Sequence, residues 1–222
     1  MKIAAFVPMK GNSERVPNKN LKDFNGRPLY HLIVNTLLKS QFVTDIVIDT
    51  DSDKIASDVR IHFPMVKIID RPIELRGDFV SMNKIIKYGM DTIPADFYIQ
   101  THSTNPLLKV ETLDSAIEEF LSSKESFDSI FSVTRVQTRF YDKNGKPYNH
   151  NPEELIRTQD LEPLFEENSN FFVFSRNSFE NAGDKRIGKK AMMFEMDKME
   201  AVDIDEPQDF EIAKALEKVL NK

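Results

Sequence analysis

Short apolar runs alternate along the chain with longer stretches whose apolar residues recur every three or four positions. Residues 3–7 read as a buried strand, and residues 29–38 carry a helical stripe through Leu29, Leu32, Ile33, Thr36 and Leu37. Residues 45–50 give the next strand, followed by a helix over 52–61 with Asp51 or Ser52 near its N-cap. Further strands are predicted at 66–69, 97–101, 129–134 and 170–174, with helices over 82–90 and 110–121. A run at 191–196 and a helix over 207–220, with Pro207 suited to its first turn, complete the pattern.

Strand–helix alternation without an internal repeat predicts an α/β fold, a doubly wound and mostly parallel sheet with helices on both faces. The 222 residues are expected to form a single domain with ample core. Sites in such sheets gather beyond the C-terminal strand ends, which singles out the loops 9–22, 50–53, 101–107 and the neighbourhood of 202–205. One stretch breaks the pattern. Residues 137–168 are polar and rich in Asn and Pro, with a hairpin signal at Lys143-Asn144-Gly145-Lys146. They read either as a solvated excursion or as a protruding dimerisation arm anchored by Phe140, Tyr141 and Tyr148.

Composition narrows the chemistry. There is no cysteine, so disulfides, Cys-bound zinc and thiol catalysis are excluded. A net charge of −6 argues against general nucleic-acid binding, yet leaves room for a local basic pocket. No segment approaches the about 20 apolar residues of a membrane span, and the first strand is too short for a secretory signal, so a cytoplasmic protein is expected.

The loop after the first strand gathers Lys10, Arg15 and Lys19 around Gly11, Asn12 and Ser13. Glycine permits a tight turn and small neighbours let amides approach phosphate oxygens, while the cations match their charge. Neither a Walker loop nor the three-glycine dinucleotide fingerprint is present. The loop is thus a phosphate-binding surface or a solvated basic turn. In Val202-Asp203-Ile204-Asp205, an extended backbone would project Asp203 and Asp205 together and bury Ile204 opposite. Such a pair suits a Mg²⁺ shared with phosphate oxygens, or is simply the acidic face of an edge strand.

Taken together, Pro17-x-Lys19-Asn20, Gly26-x-Pro28-Leu29, Asp49-Thr50-Asp51, Arg71-Pro72-x-Glu74-Leu75, Thr104-Asn105-Pro106-Leu107, Glu167-Asn168, Asp203-Ile204-Asp205 and Asp209-Phe210 resemble the acylneuraminate cytidylyltransferases, in order and over nearly the whole chain. The resemblance implies a Rossmann-like nucleotidyltransferase that moves CMP from CTP to an acidic acceptor with Mg²⁺; the 137–168 arm and its aromatic anchors add the expectation of a homodimer. It implies that Lys10, an arginine in the family, binds the triphosphate, and that Lys19 and Asn20 contact phosphates and nucleotide. Arg71 and Ser81 would lie near the nucleotide, and Asp203 and Asp205 would bind the metal.

The acceptor implied is a nine-carbon 2-keto-3-deoxy sugar acid, with octulosonates and phosphonates as alternatives. It is expected against His102, Thr104 and Asn105, with Tyr141 or Arg157 reaching in from a partner's arm. His102 stands where the family has a glutamine. With an ordinary pKa near ~6.5 it could become a double donor in mild acid, and an acceptor other than N-acetylneuraminic acid is expected. A non-catalytic nucleotide-sugar-binding scaffold would keep the same fold, though the intact Asp203/Asp205 pair and Lys19-Asn20 count against it. A uridylyl- or guanylyltransferase would need a longer glycine-rich first loop.

Overall fold

Residues 1–220 are described in the computed structural model. The chain runs β1 (Ile3–Met9), the short strands β2 (Asp23–Phe24) and β3 (Arg27–Pro28), α1 (Tyr30–Lys39), β4 (Asp45–Thr50), α2 (Asp53–His62) and β5 (Lys67–Asp70). It continues through α3 (Met82–Thr92), β6 (Phe97–Thr101), α4 (Val110–Ser123), β7 (Ser129–Val136), β8 (Leu164–Phe174), α5 (Arg176–Asn181), β9 (Ala191–Glu195) and α6 (Pro207–Leu220). A seven-stranded sheet has the order β5-β4-β1-β6-β8-β7-β9, in which β8 runs against both neighbours and every other pairing is parallel.

Successive side chains of a strand point to opposite faces, and β1 shows what that achieves. Ile3, Ala5, Val7 and Met9 join the core beneath α1, α2 and α4, whereas Ala4 and Phe6 face Ile86 and Met90 of α3. Both faces of β1 are therefore dry, as a central parallel strand requires. A third cluster lies outside the sheet: Val16, Phe24, Leu29, Leu32, Ile204, Phe210 and Ala213 pack α6 against the loop that follows β1. Ser52 caps α2 by accepting from the Ile55 amide, as expected from sequence.

Three expectations change. The segment 137–168 was expected to protrude as a whole, but β8 begins at Leu164, and Val136 pairs with Leu164 and Val133 with Glu167. The excursion is thus 137–163; the polar, outward-facing Glu166 and Glu167 hide the start of the strand. Within it Tyr141 bridges Pro147 around Gly145, whose φ of +79° is the left-handed conformation of the expected turn. Second, 202–205 is not an edge strand: it belongs to neither sheet. Third, α5 was not foreseen; its six residues are too few for periodicity, and a Ser175/Ser178 capping box starts it.

Gly89 faces Phe6 across α3 and β1. A Cβ there would meet Phe6 Cε1 at 2.9 Å, and that ring is held between helix and sheet by stacking on Tyr98. Overpacking should outweigh the gain in helix propensity, so Gly89→Ala is expected to destabilise by about 1–2 kcal/mol. Urea unfolding checks this as a lower midpoint at unchanged slope.

Candidate active site

The C-terminal ends of β1 and β6, the segment after β5 and the start of α3 enclose a cleft of about 390 Å³. Its wall includes Lys10, Ser13, Arg15, Lys19, Asn20, Arg71, Asp78, His102, Ser103 and Thr104. This is the place the parallel sheet assigns to ligands.

The loop after β1 is held by acids from three other segments: Asp51 just after β4, Asp78 before α3, and Asp205 and Glu206 before α6. The Gly11 amide donates to Asp51 Oδ1 at 2.6 Å, and a Cβ on Gly11 would meet Ser52 Cβ at 2.8 Å, so close approach explains the glycine. That amide is therefore engaged by Asp51, where the sequence suggested it would face phosphate. Lys10 Nζ lies 2.5 Å from Asp78, and Arg15 bridges Asp205 at 2.7 Å and Glu206 at 3.4 Å. These pairs are about half exposed, weakly stabilising, and exchangeable for a stronger anion. Asn12 is exposed and off the cleft wall; Ser13 is on it.

Lys19 and Asn20 knit the loop to the far side. Lys19 Nζ donates to the Ile204 carbonyl at 2.5 Å. Burial lowers its pKa, an effect opposed by the nearby Asp205 and Asp203. Asn20 donates to the Lys10 carbonyl and accepts from Ser103 Oγ at 2.6 Å. Arg71 is buried and spends its guanidinium on Asp49 Oδ1 at 2.5 Å and on the Met9 and Asp49 carbonyls, bracing the ends of β1 and β4. Burial raises the Asp49 pKa despite that arginine.

Asp203 and Asp205 flank Ile204, which is fully buried in the α6 cluster and donates its amide to the Thr104 carbonyl at 2.9 Å. Asp203 keeps solvent access, but enough protein surrounds its carboxyl group that desolvation raises its pKa; a Thr104 hydrogen bond opposes the shift and Asp205 adds to it. Two mutually repelling carboxylates, one without an ion-pair partner among the described residues, are what a shared divalent cation relieves. Among the described residues no cluster of three or more His, Cys, Asp or Glu could cage a metal. The pair therefore fits a cation that takes its remaining ligands from phosphate and water.

Other expected residues separate. Asn105 is fully buried and donates to the Val202 carbonyl at 3.4 Å, so it holds the acidic segment and presents no surface to an acceptor. Ser81 caps α3 and lines an adjoining groove rather than the cleft. Tyr141 and Arg157 lie in the excursion, hydrogen-bonded to His150 and paired with Asp160, and neither lines the cleft of its own chain. Sequence reasoning gave no role to Asp78, Gln100 or Arg186, and read Asp51 as a helix cap and part of a family motif. Arg186 sits in the charged run Asp184–Lys190, which reads as solvated.

His102 lines the cleft with Nε2 buried and unpartnered. Burial, then the charges of Arg186 and Lys19, pull its pKa from 6.5 to about 4. The expectation of a protonated double donor in mild acid is thereby overturned; the imidazole is neutral there.

A mostly parallel sheet with a cationic first loop and a twin-carboxylate segment at its strand ends defines a nucleotidyltransferase of Rossmann-like architecture. The chain superposes on a CMP:2-keto-3-deoxy-manno-octonic acid synthetase solved with CTP, with a TM-score of 0.74 at 14% identity over 99% of this chain and 100% of that one. On a 4-diphosphocytidyl-2C-methyl-D-erythritol synthase the TM-score is 0.69 at 13% identity, over 97% and 98% of the two chains. The family model described as Cytidylyltransferase matches residues 4–221, and the chain belongs to that family. Among curated relatives, the pseudaminic acid cytidylyltransferase of Campylobacter jejuni is 26% identical over 99% of this chain and 97% of its own length. The CMP-N,N'-diacetyllegionaminic acid synthase of Legionella pneumophila is 26% identical over 97% and 96%. The N-acylneuraminate cytidylyltransferase A of Danio rerio is 29% identical over 96% of this chain, which spans 50% of that protein.

A base whose folded pKa is depressed resists protonation in the folded state. Between pH 6.5 and about 4 the unfolded chain binds the proton and the folded chain does not, so stability falls as pH falls through this window. His102→Gln lacks that loss, on the order of a few kcal/mol. Urea unfolding at pH 7.5 and pH 4.5 should therefore show wild type losing more stability than the variant; parallel losses would refute the assignment.

Proposed function

We propose that this cytidylyltransferase transfers CMP from CTP to a nonulosonate-type 2-keto-3-deoxy sugar acid, releasing pyrophosphate. One observation carries the reading: Lys10, Arg15 and Lys19 line one cleft, and two of them reach the acidic segment, Arg15 through Asp205 and Lys19 through the carbonyl of Ile204, which stands between Asp203 and Asp205 in the chain. The relatives named for pseudaminic and N-acylneuraminic acids support the acceptor class.

In this reaction an acceptor hydroxyl oxygen loses its proton to solvent and bonds to the α-phosphorus, while the bond from that phosphorus to the bridging oxygen breaks and pyrophosphate leaves. Such displacements are promoted by positioning and charge neutralisation. Lys10 and Arg15 exchange their exposed carboxylate partners for triphosphate oxygens. Lys19, fixed on the Ile204 carbonyl, holds positive charge between the phosphates and the aspartates. Asp203 and Asp205 would hold a Mg²⁺, which when bound supplies charge neutralisation at the reacting phosphate. Neutral His102 offers one donor and one acceptor in the cleft wall, supporting an acceptor other than N-acetylneuraminic acid. Exposed Tyr141, Tyr148, Leu155 and Ile156 on the excursion support a homodimer joined through it.

Incubation with CTP, Mg²⁺ and a panel of acids (pseudaminate, N,N'-diacetyllegionaminate, N-acetylneuraminate and 3-deoxy-manno-octulosonate) should yield a CMP conjugate identifiable by mass, with pyrophosphate in equal amount. No conjugate with any of them would reject the acceptor class. Asp203→Asn and Asp205→Asn should each abolish turnover with the fold intact by circular dichroism; near wild-type rates in both would remove the aspartates from the chemistry. Lys19→Ala should weaken CTP by roughly ten- to a hundredfold and CMP much less, read by calorimetry. Equal losses would move Lys19 away from the outer phosphates.

A further inference from the structure

Beside the cleft, and sharing Met82 with it, runs a groove of about 290 Å³ lined by Ser81, Asn83, Glu167, Lys185 and Arg186. Arg186 is its distinctive member. Its guanidinium lies 3.9 Å from the centroid of the fully buried Phe172 ring, and its Nη1 donates to Oε1 of the fully buried Gln100. Gln100 is itself fixed by donating to the Thr101 carbonyl at 3.1 Å. The guanidinium is thus oriented by two rigid groups, neither of which neutralises it. Among the described residues its one ion-pair partner, Glu167, stands 3.8 Å from Nη2, beyond hydrogen-bond distance, with its side chain 43% exposed. Burial lowers the arginine's pKa, and Glu167 opposes this only in part.

A preorganised, half-buried arginine with a loose counter-ion is built to receive a planar anion. Its location says which one. His102, whose buried Nε2 has no partner, lines the cleft with Lys19 and stands two residues after Gln100, which holds Arg186. The cleft wall at the end of β6 therefore adjoins Arg186.

We infer that Arg186 is the anchor for the acceptor's carboxylate, and that Glu167 is the resting counter-ion that the incoming carboxylate displaces. This rests on the reading of the chain as a cytidylyltransferase with an acidic acceptor. Gln100 and Phe172 are positioning residues: they hold the guanidinium plane so that it meets the carboxylate edge-on. Glu167 makes the anchor selective, because only a ligand that is itself anionic repays displacing it; a neutral sugar leaves the pair closed.

The test compares wild type, Arg186→Gln, Arg186→Lys and Glu167→Gln with CTP and the acid panel above, using the C1 amides of the same acids as neutral competitive inhibitors. Arg186→Gln should raise the acid's KM roughly ten- to a hundredfold, leave the KM for CTP unchanged, and abolish the preference for acid over amide. Arg186→Lys should recover part of the loss. Glu167→Gln should act in the opposite direction and lower the acid's KM severalfold, which a merely structural ion pair would not do. Conjugate formation with an acid-over-amide preference that survives in Arg186→Gln overturns the anchor and leaves the functional reading standing. Failure of wild type to couple any acid overturns both. If Arg186→Gln does not fold, Glu167→Gln decides alone, an unchanged or raised KM for the acid overturning the inference.

Discussion

The site depends on the burial of one aliphatic side chain, Ile204. It is fully buried among Val16, Phe24, Leu29 and Phe210, a cluster that belongs to neither face of the main sheet. Burying such a side chain is worth about 1.5–3 kcal/mol, enough to pin a segment that no strand pairing holds. Its amide is satisfied by Thr104 and its carbonyl by Lys19, so the residue is held on both sides by groups that line the cleft. The flanking aspartates have no freedom to separate. The same cluster includes Val16, three residues before Lys19, so the hydrophobic contact that places the acids also places the lysine on the carbonyl of the residue they flank.

Charge in the cleft is arranged in two classes that behave differently. Arg71 and Asp49 are buried together, and the remaining guanidinium bonds go to backbone carbonyls of β1 and β4. Removing either partner would leave an uncompensated buried charge, so this pair is a brace. The pairs made by Lys10 and Arg15 are exposed and bind their acids in high dielectric, where each is worth about 0–1 kcal/mol. On the proposed function a triphosphate would bring several charges to the same cations, so that the loop exchanges partners while the brace stays fixed. Rigid support below and exchangeable charge above let the binding energy go into orienting the phosphates rather than folding the loop.

The centre of the sheet was legible because β1, β4 and β6 are buried on both faces and read as apolar runs. The twin aspartates were legible for a related reason: an apolar residue between two acids has a single side on which to be buried. What stayed hidden shares a different property. Gln100 lies within a strand and reads as part of the core pattern, and Asp51 reads as a helix cap, although each makes its decisive contact with a residue distant in sequence. Arg186 was lost in a charged run. Asn105, assigned to the acceptor by its motif, turns out to be buried against Val202, and local sequence does not distinguish a polar residue that touches a ligand from one that holds a neighbouring backbone.

The reversed strand β8 explains why the acceptor end was the harder half to read. Its pairing with β7 slips: Phe131 faces Phe172, but Val133, two residues on, faces Glu167, five residues back. In a regular antiparallel ladder residues five apart point to opposite faces, and Glu167 would be turned away from Phe172. The slip puts both on one face, because Phe131 and Val133 themselves share a face. Ser169 sits within it at a φ of +56°, and Asn168 is buried there, donating to Thr134. A bulge next to a functional cleft commonly re-aims a side chain in this way. In this chain it places a carboxylate beside a guanidinium that rests on Phe172, converting three residues with no obvious relation in sequence into one anion-selective contact.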